Sequence, residues 1–336
     1  MKKPTAVQRM NGPIHLEFFS PTPVGRPAHL MDTAAVKLLN RFHSKITASW
    51  RAIPAPDHIN RIDHLPPDFR KYSLPIVPNT DFMPARLGQG PDWHCYAREH
   101  KDLKFVACTG VIAVGVATYS PDVRDAKDLK GKRMGLMPRP SSFRILMEAI
   151  LRDGWDMEDQ VHLIDAFPAK IKGGLISGEI DATINIQSAE LLSGFQCFDM
   201  GLLEAKETHW VGLSMEDMQR INRNNAWKGH RVLVPRGSIR AEGPRLDPAV
   251  DVGMAGFSMA LCAWDDTEEE IVYELVRFLD EKAELWPEYT NGCPISLARM
   301  ARFPGIKEEI VHPGALEYFH ENGVKIGEPI QLPSTS

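Results

Sequence analysis

The sequence predicts an α/β fold organised as two domains. Three observations predict it. The chain has 336 residues, at roughly 100–200 residues per domain. Short apolar runs alternate with stretches of helical period. The middle of the chain repeats a strand–helix unit of the right size for its own small sheet.

Ile14 to Phe19 reads as the first strand. Ser20-Pro21-Thr22-Pro23-Val24-Gly25-Arg26-Pro27 is a loop dense in turn residues. A helix follows from about Ala28, with Leu30 or Met31, Ala34 or Ala35, Leu38 and Phe42 at helical spacing. Ile46 to Ile53 and Ser73 to Val77 are further strands, separated by a Pro- and His-rich connection from Pro54 to Pro67. Pro78 to Asp81 is read as a loop. Phe105 to Tyr119 suits one or two buried strands, being shorter than the ~20 apolar residues of a membrane helix and rich in β-branched residues.

The middle block opens on a polar turn and a strand, Val123 to Leu136. Ser141 or Ser142 can N-cap a helix carrying Phe143, Leu146, Met147, Ile150 and Leu151, which Gly154 stops. Val161 to Ile164 is a strand, Ile171 to Ile176 a short helix ending at Gly178, and Asp181 to Ile186 a strand. Val232 to Pro248, with three prolines and two glycines, reads as a return linker or rim. Val250 to Ala263 is strand-like. Thr267 with Glu270 fits a capping box for the helix through Ile271, Leu275, Phe278, Leu279 and Leu285.

Composition narrows the function. The chain is 43% hydrophobic and 25% charged, ordinary for a globular protein. Its net charge is -5, and it carries no basic block, which argues against a nucleic-acid partner. The five cysteines contain no CxxC pair, and the twelve histidines no HExxH, so no metal site is expected. No P-loop or dinucleotide fingerprint is present, and no cofactor is expected. No apolar run follows Met1-Lys2-Lys3, so the sequence as written reads as cytoplasmic, or as periplasmic if it is a mature form.

The strongest local site is Met137 to Arg144, where a strand ends and a helix begins. Ser141 and Ser142 supply hydroxyls, the helix start supplies free N–H groups, and Arg139 can take a carboxylate. Ser20 and Thr22 follow the first strand, at the kind of strand end where open α/β sheets collect ligands. For acid–base or nucleophilic catalysis the candidates are Asp81, His94 and Cys95, with no GxSxG elbow or Cys-His signature beside them.

Three motifs give the chain a resemblance. Asp128-Leu129-Lys130-Gly131-Lys132-Arg133-Met134-Gly135 and Gly178-Glu179-Ile180-Asp181-Ala182 resemble strand entries of type II periplasmic-binding-protein folds. Val311-His312-Pro313-Gly314-Ala315-Leu316-Glu317-Tyr318-Phe319, with Glu321-Asn322-Gly323, is similar to the C-terminal motif of TAXI-type solute receptors of tripartite (TRAP) transporters. The resemblance covers about residues 14–326. It departs from the family at the first loop, where Ser20 to Arg26 replaces a Gly-rich turn, and at Pro138-Arg139-Pro140-Ser141-Ser142.

The resemblance implies two α/β lobes, residues 1–117 with 235–336 and residues 118–234. It also implies a ligand cleft between them and hinge closure on the ligand. It further implies Asn79 and Thr80, and Asn185 and Gln187, as ligand-binding residues at the carboxyl ends of two other strands. It implies binding of a small organic anion, a carboxylate in the first instance, with TRAP membrane subunits as partners if the chain is exported. The alternative is a cytosolic enzyme on the same fold, a decarboxylase, lyase or isomerase of a small or aromatic carboxylate.

Overall fold

A computed structural model describes residues 12–22, 27–191, 194–197, 200–239 and 247–327. Within these limits the side chains of residues 27, 185–187 and 200 are not described. The chain divides into two compact units, residues 1–110 with 258–336 and residues 111–257. The crossings were expected at 117/118 and 234/235; residues 111–117 and 235–257 instead go with the second unit.

The first unit begins with β1 (Ile14–Ser20), α1 (Pro27–Phe42) and β2 (Ile46–Ala52). β1 and β2 are parallel, with Ile14 opposite Ile46 and Ser20 opposite Ala52, so α1 is their crossover. β3 (Ser73–Pro78) lies on the other side of β1, also parallel. It runs directly into α2 (Asn79–Leu87), which Gly88 ends in the left-handed region at φ 62°. The expected loop at Pro78 to Asp81 is therefore the first turn of a helix. β4 (Leu103–Thr118) is one long strand that carries the chain into the second unit.

The second unit contains β5 (Arg133–Leu136), α3 (Ser142–Ala149), β6 (His162–Asp165), α4 (Pro168–Ser177) and β7 (Ala182–Leu191). β8 (Gly194–Cys197), β9 (His209–Val211), α5 (Met215–Asn224) and β10 (His230–Val234) follow. The sequence order β5-α3-β6-α4-β7 gives the sheet order β4-β7-β5-β6, with β5 parallel to both of its neighbours. β8 pairs with β7, and β9 with β4. β11 (Val252–Trp264) pairs with β10 in this unit, then carries the chain back. The expected linker from Val232 therefore begins inside a strand. Its residues 240–246 lie outside those described.

The two strand-entry motifs explain this sheet. Arg133 at the start of β5 donates from its backbone N–H to Asp181 Oδ2 at 2.8 Å, and from its guanidinium to Asp181 and to Gly178 O. Gly178, at φ 82°, turns the chain out of α4. A Cβ on Gly135 would stand 3.1–3.2 Å from Ile180 and Ile171, so glycine lets α4 close on β5. The motifs fix a parallel pairing.

On its return β11 pairs antiparallel with β3, completing the order β2-β1-β3-β11 in the first unit. α6 (Glu269–Glu281) and α7 (Pro313–Glu321) then pack together. The Thr267 capping box does not form, because the N-cap is Glu268. The Thr267 hydroxyl donates instead to Lys71 O at 2.9 Å and accepts from Trp264 N–H at 3.2 Å. The C-terminal motif closes the same corner. His312 Nδ1 accepts from Gly314 N–H, and its Nε2 faces Thr267 O at 3.1 Å. A Cβ on Gly314 would come within 2.1 Å of Glu269 O, so only glycine admits this approach of α7 to α6.

Candidate functional site

In the first unit the end of β1 and the start of α1 form one polar node. Ser20 is fully buried and donates its hydroxyl to Asp32 Oδ2 at 2.5 Å. Thr22 N–H donates back to Ser20 Oγ at 3.0 Å, which turns the loop. Burial pushes the Asp32 carboxyl up to about 7, against smaller opposite pulls from the Ser20 and Thr22 hydroxyls. Sequence reasoning found Ser20 and Thr22 and missed Asp32. The signal was present: an acid three residues from Ala35 and four from Ala28, on the apolar stripe of α1.

Asn79, Thr80 and Asp81 are all buried in the first turn of α2. Asn79 Oδ1 accepts from the backbone N–H of Ser258 at 3.0 Å, where β11 enters the first unit. That contact joins a helix start to the middle of a strand.

Of the catalytic candidates, the structure brings Asp81 and His94 together and leaves Cys95 apart. His94 Nε2 is 2.7 Å from Asp81 Oδ1, and the Tyr96 hydroxyl donates to the same oxygen at 2.7 Å. Burial, then the neighbouring Asp81, pushes the Tyr96 phenol well above its usual value. His58 belongs to this cluster electrostatically, and burial holds it down at about 4. Asp81, His94 and His58 have no solvent exposure, so a substrate in water does not reach them. Cys95 is exposed, with its thiol 3.2 Å from Asp92 O.

In the second unit Ser141 is the N-cap of α3, its hydroxyl accepting from Phe143 N–H at 3.2 Å. The preceding Arg139–Pro140 bond is cis. Arg139 stays 44% exposed at its side chain, and its guanidinium is engaged with Glu148. The buried Arg144 reaches the same Glu148 oxygen at 2.7 Å, and also Met137 O and Asp165. Two arginines thus share one buried carboxylate. Arg139 is the more exposed of the two arginines. Ser142 is buried, while Asn185 and Gln187 lie on β7 with side chains outside those described.

Among the described residues no group of three or more His, Cys, Asp or Glu is placed to hold a metal ion. No described helix is long and apolar enough to cross a membrane.

Residues 94–209, less than half of the chain, match the family model described as NMT1/THI5 like. No curated protein matches the sequence. Among solved structures, the chain is similar to MatC from Rhodopseudomonas palustris with bound malate, at 12% identity and TM-score 0.51, covering 93% of this chain and 97% of that one. It is similar to an R. palustris protein with adipate at 15% identity and TM-score 0.50, covering 84% and 90%. A structure described as a periplasmic transporter matches at 11% identity and TM-score 0.50, covering 84% and 88%. At these identities the likeness is one of fold. The chain has the α/β fold of periplasmic binding proteins.

Proposed function

We propose that this chain, on the premise of a periplasmic-binding-protein fold, is a binding protein for a small organic acid taken up as its carboxylate. The observation that carries the reading is the strand-to-helix loop of the second unit. There a half-exposed arginine, a capped helix start and the Ser141 hydroxyl follow one another along the chain. These are the donors a carboxylate needs, and a helix start adds a favourable dipole. Arg139 and Ser141 are the proposed contacts. The malate and adipate held by two proteins of this fold support the ligand class.

The TAXI-like C-terminal motif supports a place beside a tripartite importer, whose membrane subunits would be the partner. The enzyme alternative gains no support from the buried Asp81–His94 pair, which lies out of a substrate's reach.

A thermal-shift screen of small mono- and dicarboxylates tests the reading, followed by mass spectrometry of each hit. The reading expects concentration-dependent stabilisation by at least one acid and recovery of that acid unchanged. Conversion of the acid would replace binding by catalysis.

A further inference from the structure

Residues 88–102 join α2 to β4 and form neither helix nor strand. Connections of this length without regular structure are uncommon inside a compact unit. Backbone bonds tie the two ends, Gln89 N–H to Pro84 O at 2.9 Å and His100 N–H to Ala85 O at 3.0 Å. Side chains hold the stretch between them. Asn60 donates to Cys95 O at 3.0 Å and accepts from Ala97 N–H at 3.0 Å. Arg98 pairs with Asp63, and His94 and Tyr96 both reach Asp81 on α2.

Three fully buried histidines lie along these contacts: His58, His94 and His100. Both ring nitrogens of His58, and both of His100, meet no hydrogen-bond partner among the described residues. The Tyr96 and Trp264 rings flank His100, with centroids 6.3 and 6.1 Å away. Asp81 from α2 and His94 from the connection face His58. Asp63, Asp102, Arg70 and Arg98 face His100, two acids against two arginines. Asp63 Oδ2 stands 3.9 Å from His100 Nδ1, beyond hydrogen-bond reach. Neither ring is offered a hydrogen bond that would hold a second proton, so burial wins. It holds His58 down at about 4 and His100 below its usual value.

A ring kept neutral by burial can take up a proton once the chain around it opens. For His58 the window runs from 6.5 down to about 4. Across it, each such ring makes opening roughly tenfold easier per pH unit. The strands of the first unit are held by continuous ladders, and residues 88–102 join none of them. Opening of this stretch alone therefore breaks the fewest bonds.

We propose that residues 88–102 form an acid-released strap. On acidification, protonation of His58 and His100 frees it from α2 and Trp264, while the sheet β2-β1-β3-β11 stays folded. Release uncovers Asp81, which the closed strap keeps from solvent.

Hydrogen exchange of the full chain at pH 7, 6 and 5 tests the strap, read by mass spectrometry with labelling times scaled to the intrinsic exchange rate. Peptides from residues 88–102 should lose protection roughly hundredfold between pH 6 and 5, one proton for each ring. They should exchange at pH 5 while peptides from β11 and α6 remain protected. His58→Phe and His100→Phe give up no ring hydrogen bond and cannot titrate. Each should reduce the loss to roughly tenfold. A wild-type loss smaller than about tenfold overturns the proposal, and this readout decides even where a variant fails to fold. Exchange of the strap together with β11 and α6 overturns it as a local device. An unchanged pH slope in both variants overturns the histidine trigger.

Discussion

His94 Nε2 lies 2.7 Å from Asp81 Oδ1, and neither residue touches solvent. A histidine beside an aspartate has the form of an acid–base pair, but general acid–base work needs a proton donor or acceptor within reach of the substrate. Here the aspartate oxygen is also bonded to Tyr96. The cluster ties the start of α2 to the Trp93–Tyr96 segment. His94→Ala should therefore cost about 3 kcal/mol in a urea melt, because it removes a hydrogen bond to a buried carboxyl and leaves a void. An unchanged midpoint would contradict the structural role.

Gly314 marks the closest approach of α7 to α6, where a Cβ would fall 2.1 Å from Glu269 O and 2.9 Å from Tyr273 N. Backbone atoms cannot swing aside as a side chain can. Gly314→Ala should destabilise the protein by about 2 kcal/mol, visible as a lower thermal midpoint, with solute affinity kept. A neutral or stabilising effect would contradict the packing described.

Asp32 makes stability depend on pH. Its carboxyl is raised from 3.8 to about 7 in the folded state. Between those values the folded protein holds a proton that the unfolded chain has released. Rising pH therefore weakens the fold across that window, by up to about 4 kcal/mol. Asp32→Asn removes this titration. The wild-type-minus-variant difference in unfolding free energy should fall as pH rises from 3.8 to 7, then level off. A flat difference would show that Asp32 does not hold its proton.

His312 has the opposite sign. Burial holds its imidazole down at about 4, against an ordinary value of 6.5. The unfolded chain takes up the proton first as pH falls, so this contribution is complete above 6.5 and is lost toward 4. His312→Asn keeps a polar side chain at the helix start and should flatten that part of the acid limb of a stability–pH curve. An unchanged acid limb would contradict it.

Arg139 is half-exposed, with its guanidinium engaged with Glu148. Arg139→Ala should weaken carboxylate binding roughly tenfold, read by titration calorimetry. The thermal midpoint should move little, because Arg144 keeps Glu148 paired. Unchanged affinity would remove Arg139 from the site.

The strand–helix alternation was legible because hydrophobic period is local, and β1, β3, α3, β6 and β7 all begin within two residues of where the pattern puts them. The entry motifs at Arg133 and Asp181 were legible because one residue pair fixes a strand pairing. The helix at Asn79 was hidden. Pro78 reads as loop punctuation, while burial against β11 holds the turn. Thr267 has a capping sequence, yet its hydroxyl finds Lys71 O, a partner far away in the chain. The candidate site was legible in its loops and hidden in its partners. That Glu148 would occupy Arg139, or that Asp32 would meet Ser20, depends on how α3 and α1 dock, and no local pattern records it.

The most direct measurement is titration calorimetry of the wild-type protein with malate and with adipate, with the acid recovered afterwards for mass spectrometry. The account predicts saturable binding of at least one of them and recovery of the acid intact. Absence of binding by both, together with a thermal-shift screen in which no carboxylate stabilises the fold, would contradict it, as would chemical conversion of the bound acid.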